Sequence, residues 1–340
     1  MKRLDVRTSS TQVGSITDVP GIQVGQVQRT SDGWLTGVTV VLPPVGTVAG
    51  VDVRGGGPGT HETDALDPRT LVPTVDAVVL TGGSAYGLVA AHGVQRWCAE
   101  RGRGYAVSDV PGEVVPIVPA AAIFDLGRGG RFHCHPDEQM GYDAAVAAAR
   151  SPEHADVARG NVGAGTGAAI AHQTRKGGVG TASMRLSGDL AHVVVGAIVV
   201  VNAAGSPTFP GERPLDSSAA ESGSGGTLPT VSGPLSTTIA VVASNAELDP
   251  AETSRTATAA HDGMARALDP VHTMADGDTV FSLATGTAVL PGNDRRPMRV
   301  AALVELQAAA AHVLTQAIFD GVRSAEHVTT SRVDLPPWPT

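Results

Sequence analysis

The 340-residue chain is predicted to be a layered α/β protein. Runs of β-branched apolar residues alternate along it with Ala-rich segments of helical length. Apolar residues make up 42% of the sequence, ample for a core, which excludes wholesale disorder. Aromatics are only 3% while glycines number 42, so the core must be assembled from Ala, Val, Leu and Ile in closely packed layers. The length suits about two average domains, although single layered α/β units also reach it.

Residues 38–42 and 77–80 are predicted buried strands, each closed by Gly or Pro. Residues 88–100 and 141–150 are predicted helices. Residues 193–201 form a long buried strand, followed by strands at 237–244 and 279–285. Between these last two a helix starts at Asp249-Pro250-Ala251-Glu252, which offers an N-cap, a first-turn proline and an acid three residues after the cap. The final helix, from about 299 to 322, is Ala-rich and apolar on more than one face, which predicts a sandwiched position. No repeat of solenoid period is present. Residues 205–236 are dominated by Gly, Pro, Ser and Thr, the composition of a solvated linker. That linker runs straight into a strand opening with Thr237 and Thr238, an unusual junction.

A formal net charge of −9 argues against binding nucleic acid by bulk attraction. Two cysteines, Cys98 and Cys134, cannot make a disulfide framework, so a reducing compartment is expected. The N-terminus MKRLDVRTSS lacks the apolar stretch of a secretory signal, and the apolar run 193–201 is too short to span a bilayer. The expectation is a cytoplasmic protein with no membrane partner.

Several motifs could carry chemistry. The glycines of Arg54-Gly55-Gly56-Gly57-Pro58-Gly59 could cradle a phosphate, but no Gly-Lys-Ser/Thr follows, so a capped structural turn is the competing reading. Gly163 and Gly165 loosely mimic a dinucleotide fingerprint, yet the residues before them make a poor strand. Gly82-Gly83-Ser84-Ala85-Tyr86-Gly87 fails the nucleophile-elbow spacing, because Tyr86 stands where the second glycine belongs. His133 and His135 alternate in a loop without further ligands and are read as surface histidines. No cofactor and no metal are expected.

The informative set lies at strand ends. Thr237 stands at the linker junction, Asp276-Gly277-Asp278 immediately precedes the strand at 279, and Asn202 closes the strand 193–201. A hydroxyl, two carboxylates and an amide are the parts of acyl transfer: the hydroxyl attacks, the amide donates to the oxyanion, and the carboxylates orient or carry charge. A cut before Thr237 would release an α-amine that titrates near neutrality and can act as the hydroxyl's own base. On chemistry alone these residues could equally be structural, since Asp-Gly-Asp is a common turn and Asn often ends a strand.

The chain resembles the peptidase family S58, the group of L-aminopeptidase/D-esterases, β-aminopeptidases and nylon-oligomer hydrolases. The likeness runs through Ile16 to Gly21, Arg54 to Asp64, Leu80 to Leu88, Val115 to Ala120, Gly163 to Gly167, Thr237 to Asn245 and Pro270 to Phe281. It implies a four-layer αββα sandwich of Ntn-hydrolase type and a single catalytic domain over 1–340. It further implies self-cleavage between Ser236 and Thr237 into a large chain 1–236 and a small chain 237–340, associated in a homotetramer of such pairs. Thr237 would be the nucleophile, Asn202 the oxyanion donor, and Asp276 and Asp278 the acidic partners, acting on a small peptide, an amino-acid amide or a β- or ω-amino-acid oligomer. Three positions depart from the family. Ser236 precedes the scissile bond where many members have Asn or Gly, Phe124 replaces a tyrosine, and His172 takes the place of a catalytic lysine, with Lys176 nearby in another register. A neutral His172 could orient but supplies no permanent charge at pH 7. Two further readings stay open at this point: an amine-accepting acyltransferase of ornithine acetyltransferase type, and an uncleaved, non-catalytic member.

Overall fold

A computed structural model describes residues 14–211, 235–292 and 295–339. Numbered along the chain, the main strands are β1 (Gln23–Arg29), β2 (Thr36–Leu42), β3 (Val48–Val53), β4 (Thr60–His61), β5 (Val78–Thr81), β6 (Ala120–Ala122), β7 (Gly178–Arg185), β8 (Val194–Val201), β9 (Ile239–Ala246) and β10 (Thr279–Ala288). The main helices are α1 (Ala90–Ala99), α2 (Glu138–Arg150), α3 (Pro250–Ala267) and α4 (Arg296–Arg323). They make two five-stranded sheets, ordered β1-β2-β5-β6-β4 and β7-β8-β9-β10-β3. Each sheet has one parallel pair, β5 with β6 and β9 with β10, and is otherwise antiparallel.

Alternation along each strand builds the layers. On β9, Ala240 and Val242 pack toward α3 and α4, while Ile239, Val241 and Ala243 point to the other sheet. On β2, Val38, Val40 and Leu42 pack under α1 and α2, and Val41 faces the space between the sheets. The result is the four-layer αββα sandwich. β2, β8 and β9 are buried on both faces, so their sequences are predominantly apolar rather than alternating, and β8 is apolar throughout.

The predicted strands at 38–42, 77–80, 193–201, 237–244 and 279–285 all exist with bounds shifted by a few residues, the last extending to Ala288. Five strands escaped the pattern, two of them, β4 and β6, only two or three residues long. β1 is half-exposed and carries three glutamines. β3 ends exposed at a sheet edge. β7 holds two glycines because α4 lies against it: a Cβ on Gly180 would sit 2.0 Å from the Ala317 carbonyl oxygen. These glycines let the backbones of β7 and α4 approach closely.

The helix predicted at 141 starts three residues earlier, where Asp137 caps it by accepting from the Met140 N–H at 2.8 Å. α3 begins on its predicted box: the Asp249 carboxylate accepts from the Glu252 N–H (2.7 Å) and Glu252 from the Asp249 N–H (3.2 Å). α4 is not sandwiched along its whole length. Its later turns pack on β7, β8 and α3, while Met298, Val300 and Val304 in its first turns are exposed. By length and composition α4 could cross a membrane, but 61% of its most apolar window is buried in the fold.

The expected solvated linker is corrected at both described ends. Ser206–Pro207 pairs with Leu268–Asp269, Phe209 packs on Phe319, and Ser236 is buried in a bridge to Asp276. Residues 212–234 of that segment lie outside the described residues.

Candidate active site

Thr237 is buried two residues before β9 begins, at the end of the second sheet where β8 finishes and β10 starts. Its N–H donates to the Asn202 carbonyl at 2.7 Å, which anchors it to the residue that follows β8. Its hydroxyl donates to the carbonyl oxygen of Ser236, the residue before it. That same carbonyl accepts a 3.1 Å hydrogen bond from the Gly277 N–H. The peptide bond between Ser236 and Thr237 is thus held on both sides, with a hydroxyl against its carbonyl and a backbone donor on its oxygen.

The loop before β10 brings two carboxylates to this bond, and both are buried. Asp276 accepts from the Thr273 N–H at 2.7 Å. In Asp278, Oδ1 accepts from the Thr238 N–H at 2.7 Å, and Oδ2 accepts from the His272 N–H at 3.1 Å and from its Nδ1 at 2.7 Å. Burial pushes the Asp278 carboxyl upward, and the negative charge of Asp276 adds to that, while the bonds from His272 and Thr238 oppose it. Arg54 to Gly57 form the bed of this loop. The N–H groups of Arg54, Gly56 and Gly57 donate to the carbonyls of Asp278 (2.7 Å), Thr273 (3.0 Å) and Asp276 (2.8 Å). Gly55 has a φ of +99° and its absent Cβ would meet the Asp276 carbonyl at 2.5 Å. These glycines therefore serve backbone contact with the aspartate loop rather than a phosphate cradle.

Asn202 is fully buried, and its two ends are used differently. Oδ1 accepts from Arg128 Nη1 at 2.7 Å and from the Ala169 N–H at 3.0 Å, whereas Nδ2 is buried with no partner among the described residues. A buried amide donor left open, on the residue whose carbonyl holds the Thr237 N–H, is free to take an acceptor. Arg128 also donates to the Gly167 carbonyl (2.6 Å), and burial lowers its pKa to about 10. Lys176, fully buried, spends its ammonium on the carbonyls of Gly165 (2.8 Å), Ala168 (2.8 Å) and Gly177 (2.6 Å). Burial, aided by the Arg128 charge, draws its pKa well down, and the three carbonyls offset part of the cost. Gly163 to Gly167 is thus a turn whose carbonyls hold two buried cations, not a dinucleotide fingerprint.

A model of peptidase family S58 matches residues 14–334. The chain belongs to peptidase family S58. This S58 member is 46% identical to an uncharacterized aminopeptidase of Mycobacterium tuberculosis (strain H37Rv), over 93% of this chain and 95% of the relative. It is 29% identical to a 6-aminohexanoate-oligomer endohydrolase of Paenarthrobacter ureafaciens, over 89% and 84% of the two chains. Among solved structures it superposes on the β-aminopeptidase of a Burkholderia species with a TM-score of 0.71, at 24% identity over 97% of this chain and 93% of that one. It superposes equally on the L-aminopeptidase D-Ala-esterase/amidase of Ochrobactrum anthropi, with a TM-score of 0.70 at 21% identity, over 97% and 93%. These likenesses bear on the Ntn-hydrolase-like fold alone, while family membership makes the protein a hydrolase of peptide or amide bonds.

Of the residues the sequence singled out, the S58 fold brings Thr237, Ser236, Asn202, Asp276 and Asp278 together. His172 makes no hydrogen bond to any of them. It lies on a hairpin turn between Ala169–Ile170 and Arg175–Lys176, where Ala171, His172 and Gln173 all have positive φ. Its backbone N–H donates to the Ala204 carbonyl (2.9 Å), and its exposed imidazole takes no hydrogen bond among the described residues. Phe124 is half-buried just after β6. His133 is exposed and His135 stacks on Tyr86, with no metal-binding group of side chains among the described residues. Sequence reasoning missed Arg128, the Gly277 N–H and His272. A lone Arg between glycines and a backbone donor have no pattern to find. His272 lay inside a quoted motif, and its spacing of six from Asp278 was the available signal.

Proposed function

We propose that the protein is a self-processing amide hydrolase in which Thr237 is the nucleophile. The observation that carries this is the seat of the Ser236–Thr237 bond: a hydroxyl against the carbonyl, a backbone N–H on its oxygen, and the amide nitrogen anchored to Asn202. In the first event the Thr237 oxygen bonds to the Ser236 carbonyl carbon, the C–N bond breaks, and the hydroxyl proton passes to the departing nitrogen. Gly277 N–H holds the oxyanion. Water then splits the ester, its OH going to the Ser236 carboxyl and its proton to the threonine oxygen.

The released α-amine titrates near neutrality and sits where it can take the hydroxyl proton in each later turnover. The substrate amide is attacked, its amine leaves with that proton, and water frees the acyl group. The open Asn202 Nδ2 is the donor for the substrate's oxyanion. Asp276 and Asp278 supply negative charge suited to a free amine on the substrate. Short amine-bearing amides are the substrate class, in keeping with relatives named aminopeptidase and 6-aminohexanoate-oligomer endohydrolase.

Intact mass of freshly purified chain beside Thr237→Ala tests the reading. Two fragments meeting at Ser236/Thr237, with the variant whole, are expected. A single uncut chain in both samples after long incubation would overturn it.

A further inference from the structure

Behind Asp278 lies a pair of histidines that the reaction above does not use. His272 has a φ of +57°, so its backbone is in the left-handed region, and both its N–H and its Nδ1 point at Asp278 Oδ2. Against an ionised Asp278, the ring nitrogen 2.7 Å from Oδ2 carries the proton, which gives the neutral ring its Nδ1–H tautomer and leaves Nε2 as a lone pair. That Nε2 is buried and unpartnered among the described residues.

His261 of α3 packs edge-on against His272, with ring centroids 4.8 Å apart. Its Nε2 lies 2.9 Å from the Asp52 carbonyl and must donate to it, so its Nδ1 is a lone pair, also buried and unpartnered. Two neighbouring imidazoles therefore each carry an unsatisfied acceptor. A single added proton on His272 Nε2 would turn one of these acceptors into a donor beside the neighbouring ring. His261 itself is kept neutral, because burial holds its pKa at about 4. The other charged groups around the pair are Asp276 beside Asp278, and Asp52 with Arg54 behind His261, whose side chains are paired to each other at 3.2 Å.

We propose that His272 is a positioning residue that acts through Asp278: neutral, it fixes the carboxylate for a cationic amine, and protonated, it weakens that hold. The inference rests on the reading of Asp276 and Asp278 as the amine-facing pair. With His272 neutral the two aspartates present two negative charges, and a proton on His272 cancels one of them. The acid limb of amine recognition is thereby set by a residue that never touches substrate.

The test uses the full chain and its His272→Asn and His272→Ala variants. Asn places an N–H donor where Nδ1 stood, accepts the left-handed backbone best among non-glycine residues, and does not titrate. For a short amide with a free amine, the wild-type KM should rise on the acid side, and for the N-acetylated analogue it should not. His272→Asn should lose the acid rise in KM. His272→Ala should lower kcat/KM about ten- to a hundredfold at every pH, the loss of one hydrogen bond to a charged group. Superimposable wild-type and Asn profiles, or an Ala variant equal to wild type, would overturn the proposal. Should the wild type prove uncut and inactive, the reading of Thr237 fails on its own. Nitrogen-15 NMR of labelled histidines then decides the His272 inference separately. The resonance missing from His272→Asn should report an Nδ1–H tautomer whose titration moves in Asp278→Asn, and an Nε2–H tautomer at neutral pH would sink it.

Discussion

Replacing Asn202 by Asp should uncouple maturation from turnover. Asp has the same shape and keeps an oxygen where Oδ1 accepts from Arg128 and Ala169, so the local fold survives. The second oxygen takes the position of Nδ2, removing the open donor, and its charge is met by the buried Arg128 guanidinium. Asn202→Ala is less informative, because it strands the Ala169 N–H and one Arg128 donor at about 1–3 kcal/mol each. Losing one oxyanion donor costs about 10²–10³ in kcat, and a negative oxygen facing the developing charge adds to the loss. The Ser236 carbonyl, in contrast, takes its donor from the Gly277 backbone and its hydroxyl from Thr237. Self-cleavage should therefore keep its rate within about threefold, since its oxyanion donor is unchanged. Intact mass against time reads the first event, and amine release from a short amide reads the second. If both rates collapse together, the division of donors between Gly277 and Asn202 is wrong. If turnover is untouched, Asn202 is no oxyanion donor.

Gly277→Ala would place a Cβ 2.6 Å from the Gly57 carbonyl and 2.9 Å from the Thr237 hydroxyl, so self-cleavage should stop and stability fall by about 1–3 kcal/mol. Gly57→Ala, whose Cβ has no neighbour closer than 3.9 Å, should change neither, and equal mass spectra and melts for the two variants would refute the fit. His261 has a folded pKa of about 4 against an ordinary value near 6.5, depressed by burial. The folded chain then binds fewer protons than the unfolded one between those values, so the His261 contribution is complete above about pH 6.5 and lost as pH falls toward 4. Urea melts should show wild type losing roughly 2–3 kcal/mol relative to His261→Gln between pH 7 and pH 4, and a constant difference would remove the argument.

Strands buried on both faces were legible from their apolar runs, unbroken in β8 and carried by Ile239 to Ala243 in β9, and α3 announced itself through Asp249, Pro250 and Glu252. β1 and β7 were not. The glutamines of one bond to the backbone of distant loops, and the glycines of the other answer to a helix more than a hundred residues away in sequence. The same divide runs through the site. Thr237, Asn202 and the two aspartates are polar residues at the ends of apolar runs, where a sheet edge gathers them. Arg128 and Lys176 look like surface charges in glycine-rich turns, and only the three-dimensional supply of carbonyls makes burying them tolerable. The Arg54–Gly59 run looked like a ligand cradle because backbone N–H groups bind phosphates and peptide carbonyls alike, and here the carbonyls are the chain's own.

The order β7-β8-β9-β10-β3 has a kinetic consequence for a chain cut at residue 236. β9 and β10 would belong to the small fragment, yet they lie between β8 and β3 of the large one. Neither fragment could leave without opening the middle of a sheet, so the nick would be silent while the protein stays folded. Once unfolded, the two pieces would diffuse apart, and a collapse that was unimolecular for the precursor would become a second-order encounter. Maturation would then act as a ratchet: the precursor folds reversibly at any dilution, and the processed enzyme persists by the slowness of its unfolding.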